Sequence, residues 1–202
     1  MNRQSQLNQD IKLLEYLNYK KNGYFVDIGA HNGKSFSNTY LLEKDYGWRG
    51  ICVEPVLKEY NICKDCRPNS ICKNVCIYNR NGEVNFSENK NTMYSGINES
   101  LTHLNNKNII TKKKCITFNK LLEDCKAPND IDFLSLDTEG SELEILKSLD
   151  HTKYKFKYIT VEHNFIKLTR VQIKEFLKSK GYSFFAENKW DDIYVLKKQD
   201  TF

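Results

Sequence analysis

Tyr24-Phe25-Val26-Asp27-Ile28-Gly29-Ala30-His31-Asn32-Gly33 is the stretch from which the fold of this chain is read. Its first half is apolar, aromatic and β-branched, as a buried strand requires, and its second half carries two glycines ahead of a helix-like run from Ser35 to Lys44. The expected order is strand, tight turn, helix, with the Ser35 hydroxyl placed to cap the helix. Glycine admits positive φ and close approach to the main chain, and the first N–H groups of a helix would point free donors into the same space. Such a turn can cradle a charged small molecule, although packing alone can also place a glycine there. Trp48-Arg49-Gly50-Ile51-Cys52-Val53-Glu54 then reads as a second buried strand ending in a carboxylate, after a crossover of the length a parallel βαβ unit needs. Glu54 thereby arrives beside the glycine turn, where an acid can accept hydrogen bonds from both hydroxyls of a ribose.

The spacing Gly29 to Gly33 is G-x-x-x-G, not the G-x-G-x-x-G of dinucleotide-binding folds, so the loop is wrong for a pyrophosphate. Three further features are ordered along the chain: Asp27 two residues before a glycine, Glu54-Pro55 after the second strand, and Asp137-Thr138-Glu139-Gly140-Ser141-Glu142 after a later one. With them the chain resembles the class I S-adenosylmethionine-dependent methyltransferases and, more narrowly, the FkbM family, from Gly23 to Leu196. The resemblance implies an α/β fold: a single three-layer, doubly wound, mostly parallel sheet of seven strands with a C-terminal antiparallel hairpin. It also implies S-adenosylmethionine as cofactor, held by Asp27, Gly29, Ala30, His31, Asn32, Gly33, Ser35, Glu54 and Pro55, with Asn74 and Val75 flanking the adenine and Asp137 near the reacting methyl.

A chain of 202 residues has room for one α/β domain, so residues 1–202 are read as a single domain with an N-terminal helical extension over 1–22. Leu7, Ile11, Leu14 and Leu17 space that helix, which is expected across one edge of the sheet. The formal charge of +5 is spread thinly, and its one compact run, Lys112-Lys113-Lys114, reads as a solvated loop rather than a nucleic-acid grip. Diffuse basicity suits an anionic substrate without identifying one. No apolar run approaches the ~20 residues that span a bilayer, so no membrane partner is expected. Seven cysteines, an odd count, and an N-terminal stretch without signal-peptide features point to a cytoplasmic protein with reduced thiols. Richness in Asn, Lys, Ile and Tyr suggests an AT-rich genome, compatible with a microbial cytosol or that of a virus-infected host.

Cys63, Cys66, Cys72 and Cys76 lie close enough in sequence to suggest zinc. Val56 to Cys66 reads as a helix and Ser70 to Ile77 as one strand with Cys72 and Cys76 on a shared face, so the thiols are read as buried filler, like Cys115 and Cys125. Asn79-Arg80-Asn81-Gly82 is a strong turn signal, and the strand Glu83 to Ser87 is expected to pair back antiparallel. Residues 89–114 dissolve into polar sequence and read as a substrate-side lid, in which Tyr94 and Ser95 are candidate substrate contacts and His103 is a lone histidine.

The acids carry the chemistry. Glu142 suits helix capping, but Asp137 and Glu139 stand at the carboxyl end of the strand Ile131 to Leu136, and Glu162-His163-Asn164 ends the next strand, Tyr158 to Val161. Neighbouring strand ends can aim into one cavity, so Asp137, Glu139, Glu162, His163 and Asn164 could surround one substrate hydroxyl. A hydroxyl needs a general base or a metal to become a nucleophile at neutral pH. His163 is the candidate base; Asp137, Glu139 and Glu162 are a candidate oxygen set for Mg2+ or Mn2+. The resemblance points to O-methylation of a small molecule, sugar or glycan. An RNA ribose 2′-O-methyltransferase and a non-catalytic nucleotide-binding module remain alternatives. Thr169 to Lys180 is expected to be a helix with Val171, Ile173, Phe176 and Leu177 inward, followed by a hairpin connected by Asn188 to Asp192 with Trp190 near the substrate edge.

Overall fold

The computed structural model describes residues 4–101 and 108–197, which leaves His103 outside the described residues. In chain order the elements are α1 (Gln9–Tyr16), β1 (Tyr24–Ile28), α2 (Tyr40–Tyr46), β2 (Arg49–Val53), α3 (Leu57–Cys66), β3 (Ile71–Lys73), β4 (Cys76–Tyr78) and β5 (Gly82–Glu88). A single 3-10 turn (Thr92–Tyr94) follows, then β6 (Gly96–Ile97), β7 (Ile109–Thr117), α4 (Phe118–Asp124), β8 (Asp130–Leu136), α5 (Glu142–Lys147), β9 (Lys155–Glu162), α6 (Lys167–Ser179), β10 (Tyr182–Asn188) and β11 (Asp191–Leu196).

Seven strands form the main sheet in the order β10-β11-β9-β8-β1-β2-β3, parallel except for the β10–β11 hairpin and its pairing with β9. Strand alternation builds the three layers. Phe25, Cys52, Phe133, Tyr158 and Ile193 face α1, α2 and α3 through Leu13, Leu14, Leu41, Leu42 and Cys63. Val26, Ile51, Leu134 and Ile159 face the other way, onto Leu121, Leu122, Ile145, Leu146, Ile173 and Leu177 of α4, α5 and α6. Central strands buried on both faces read as continuous apolar runs, which is why Tyr24 to Ile28 is legible as a strand. The expected sheet and hairpin are present; α1 packs on a sheet face rather than along an edge.

Several local expectations are corrected. Residues 31–39 are turns and bends with one isolated bridge from Phe36 to Ser5, and the helix starts only at Tyr40, because polar side chains satisfy the backbone outside a helix. Asn32 Oδ1 accepts from Lys34 N and Ser35 N, and Ser37 Oγ accepts from Thr39 N and Tyr40 N, so Ser35 caps nothing. The run Ser70 to Ile77 splits at Asn74 and Val75: β3 extends the main sheet while β4 enters a second sheet ordered β4-β7-β5-β6. Cys72 and Cys76 therefore share no face. Instead of pairing with β4, β5 pairs antiparallel with β7, which lies between them. The expected lid is thus shortened from its far side, and the lysine run is strand, with Lys113 Nζ 2.6 Å from Glu88 Oε1. Val171 is exposed, and the hairpin connection is only Lys189 and Trp190. Among the described residues no helix is long and apolar enough to cross a membrane.

At the other end of the sheet Asp132 accepts from Lys20 Nζ (2.7 Å), Lys157 Nζ (2.7 Å) and Tyr24 N (3.0 Å). Burial alone would raise its carboxyl, but these three donors outweigh it and hold the pKa below the ordinary value. A depressed folded pKa stabilises above the unfolded value, about 3.9, and that stability is lost as pH falls through the folded one. Both lysines are more than a third exposed, so Asp132→Asn is expected to cost only about 1 kcal/mol at pH 7. In urea titrations the gap between the two proteins should close below about pH 4.

Candidate active site

The carboxyl ends of neighbouring strands create the site. Asp137 N donates to Ile28 O at 3.0 Å, while Gly29 N and Ala30 N both donate to Val53 O at 3.0 Å, so the ends of β8, β1 and β2 are tied together just before the chains diverge. Gly29, at φ 92, has no alternative: a Cβ there would lie 1.7 Å from Asp137 O. The divergence is the switch point of the sheet, where open α/β folds bind ligands. A cavity of about 460 Å3 opens there, within the range of small-molecule sites.

On the β1–β2 side stands Glu54, 6% exposed. Its Oε2 accepts from His31 N at 2.8 Å and its Oε1 from Val56 N at 2.7 Å. Burial raises its pKa to about 7 despite those two bonds. Each carboxylate oxygen keeps a lone pair for a ligand hydroxyl. Asp27 is committed elsewhere: Thr39 Oγ1 donates to its Oδ2 at 2.6 Å, and the Arg67 guanidinium lies beside it. Burial still pushes its carboxyl upward. This grip holds residues 35–38 along the cavity wall, where Asn38 Nδ2 also donates to Ser135 Oγ at 3.0 Å.

Across the cavity Asp137, Glu139 and Glu162 place carboxyl oxygens within 4.8 Å of one another. Asn164 Nδ2 donates to Glu162 Oε2 at 2.8 Å and to Glu139 Oε2 at 3.3 Å. Asp137 and Glu162 stand close enough to repel each other as ions, which favours one of them keeping a proton. Desolvation by the cavity walls, reinforced by the neighbouring acids, pushes both upward even though Asp137 stays open to the cavity, and Glu139 is raised to about 7 by burial and by the Glu142 charge. Glu142 lies outside the trio: its Oε1 accepts from Thr138 N, Thr138 Oγ1 and Gly140 N, bracing the loop that carries Glu139.

The cavity wall also includes Gly29, Ala30, His31, Ser35, Pro55, Val75, Tyr94 and Ser95. Four expected contacts are not brought to it. Asn32 folds its amide onto Lys34 N and Ser35 N, and Gly33 packs against Cys63. Asn74 donates to the Glu54 and Pro55 carbonyls, and His163 turns to Asp192, with Nε2 3.6 Å from Oδ1. The buried imidazole is also lowered below its ordinary pKa, first by burial. Phe36 and Phe165, more than half exposed on the cavity wall, carry no sequence signal: both have positive φ, 62° and 58°, in loops whose shape is set by distant contacts. With Phe86, Tyr94 and Trp190 they give the cavity five aromatic side chains.

A seven-stranded sheet in this order, with a C-terminal antiparallel hairpin and a cavity at its switch point, defines a class I S-adenosylmethionine-dependent methyltransferase. Residues 27–184 match the model of the methyltransferase FkbM domain, and the chain belongs to that family. Among curated proteins none matches it in sequence. A methyltransferase FkbM from Methylobacillus flagellatus KT is 12% identical with a TM-score of 0.55, over 86% of this chain and 43% of that one. The precorrin-6y C5,15-methyltransferase of Geobacter metallireducens GS-15 is 14% identical with a TM-score of 0.54, over 94% and 87%. The N-terminal domain of human METTL16 is 13% identical with a TM-score of 0.53, over 96% and 70%. These likenesses establish the fold.

Proposed function

We propose that this chain transfers the methyl group of S-adenosylmethionine to a hydroxyl oxygen of a small molecule, sugar or glycan. The convergence of Asp137, Glu139 and Glu162 in the cavity that also holds Glu54 supports this reading most directly. A sulfonium methyl is already activated, so the protein has to align the acceptor and take up its proton. Glu54 grips the ribose hydroxyls, the acid trio receives the acceptor hydroxyl, and Asn164 keeps two of the acids oriented. Tyr94, on the shortened lid, and the aromatic side chains of Phe36, Phe165 and Trp190 supply flat apolar faces suited to the hydrophobic side of a sugar ring, and Ser95 beside Tyr94 offers a hydroxyl. Three carboxyl oxygens also fit a hard divalent cation: Asp137, Glu139 and Glu162 would hold Mg2+ or Mn2+, which would lower the pKa of the acceptor hydroxyl.

The test is labelled methyl transfer to panels of hydroxylated glycans, RNA and small amines, with S-adenosylhomocysteine release as readout. Ether products on the glycan panel are expected; transfer only to nitrogen or carbon would overturn the O-methylation reading. Glu54→Ala is expected to weaken cofactor binding by about 1.5–3 kcal/mol in calorimetry, since it removes charge-assisted hydrogen bonds. Because hydroxyl donors favour the ionised acid, wild-type affinity should rise with pH through about 7 and the variant's should not. Equal affinities at all pH values would remove Glu54 from the cofactor site.

A further inference from the structure

Cys52 on β2, Cys63 on α3 and Cys72 on β3 bring their sulfur atoms within 4.8 Å of one another, behind the cavity and apart from its acids. Cys63 Sγ and Cys72 Sγ are 3.8 Å apart. Two thiolates bound tetrahedrally to one zinc at about 2.3 Å stand about 3.8 Å from each other, so this pair already has the spacing a shared ion imposes. We propose that Cys52, Cys63 and Cys72 form a site for a thiophilic cation, Zn2+ or Cu+.

The use of cysteine as a small buried hydrophobe explains one thiol at a time; it does not explain three from three different elements meeting at one point. Cys76 and Cys115 show the filler case, side by side across β4 and β7 within the apolar core of the second sheet. An all-sulfur donor set selects soft cations over the magnesium-like ions suited to the carboxyl trio. Three thiolates around Zn2+ leave one negative charge and around Cu+ two. The buried Arg67 guanidinium acts electrostatically on all three thiols and is the positive group set against that excess. Cys72 is only half-buried and β3 is the edge strand of the main sheet, which gives an ion a way in.

The consequence is mechanical. Cys63 Sγ lies against Gly33, where a Cβ would come within 2.6 Å of it, so an ion joining α3 to β2 and β3 would brace the loop that follows β1. The proposal is independent of the cofactor assignment, because none of the three cysteines lines the cavity.

The test uses the full chain, reduced and stripped of metal. One equivalent of Co2+ is expected to give sulfur-to-metal charge-transfer absorption that Zn2+ bleaches, and an anaerobic Cu+ arm shows which ion binds more tightly. X-ray absorption on the wild-type zinc or copper form should show a shell of about three sulfurs near 2.3 Å, a readout that needs no variant. Cys72→Ser should abolish the cobalt band with an unchanged far-ultraviolet spectrum, while Cys66→Ser and Cys76→Ser should keep it. Absence of a sulfur shell with both ions would overturn the proposal. So would a band that survives Cys72→Ser, or a Cys63–Cys72 disulfide formed by mild peroxide in protein that binds neither ion.

Discussion

Asp137→Asn is expected to lower methyl-transfer turnover by about 100- to 10,000-fold, the range a positioned proton acceptor supplies, while leaving cofactor affinity little changed. The main chain of Asp137 is fixed by its bond to Ile28 O and by the contact that only Gly29 permits, so the substitution moves no backbone. A neutral amide of the same shape removes one of several mutually repelling charges, so the substitution should cost little stability. The amide cannot share a proton with Glu162 or accept one from a substrate hydroxyl. Glu139 sets the pH dependence. With its pKa raised to about 7, and the ionised form being the one that accepts a proton, kcat/KM for the acceptor should fall as pH drops below about 7 when cofactor is saturating and Glu54 no longer contributes. Glu139→Gln should flatten that acid limb. Turnover that survives Asp137→Asn would take Asp137 out of the chemistry, whatever the acceptor proves to be.

Much of this site is legible because parallel pairing is a rule about neighbours. Strands that end in Asp137 and Glu162 must lie side by side if they follow one another through a single crossover helix, and β8 and β9 do. The same rule places Glu54 beside Gly29. Parity separates Glu162 from His163: successive strand residues project to opposite faces, so if one enters the cavity the next turns away, here toward Asp192 on β11. What resists reading is backbone set by side chains from elsewhere in the chain. Ser35 to Asn38 have helical neighbours in sequence, yet their course is fixed by Asp27, Ser135 and Arg67 through contacts that span 12 to 97 positions in a dense polar network. The break between β3 and β4 depends on the Asn74 amide finding two carbonyls of a different loop. Cysteine spacing misleads for the same reason: Cys52 meets Cys72 through sheet pairing and Cys63 through the packing of α3 on the sheet, not through proximity in sequence.

Arg67→Ala should destabilise the fold by about 3–5 kcal/mol in urea titration, the cost of stripping one partner from a buried ion pair. Arg67 is 1% exposed and Glu43 2%, and Arg67 Nε donates to Glu43 Oε2 at 2.7 Å. The remaining nitrogens spread over one loop: Nη1 donates to Gly33 O at 3.0 Å and Ser37 Oγ at 3.3 Å, and Nη2 to Thr39 Oγ1 at 2.9 Å and Thr39 O at 3.3 Å. Its guanidinium carbon also lies 5.1 Å from the centre of the Phe25 ring. Alanine would leave Glu43 as a buried carboxylate without a counter-charge, held by Asn69 N and Ser70 Oγ, and remove the charge that opposes Asp27. Because five of these contacts end on residues 33–43, cofactor affinity should fall together with stability. Arg67→Lys should recover little, since an ammonium keeps the charge but cannot span Glu43, Gly33 and Thr39 at once. The double variant Arg67→Leu with Glu43→Leu should be less destabilised than Arg67→Ala alone, because Glu43 is then no longer a stranded charge. If Arg67→Ala costs less than about 1 kcal/mol, the loop along the cavity is held by its own Asn32 and Ser37 turns, and the buried pair is not what shapes the site.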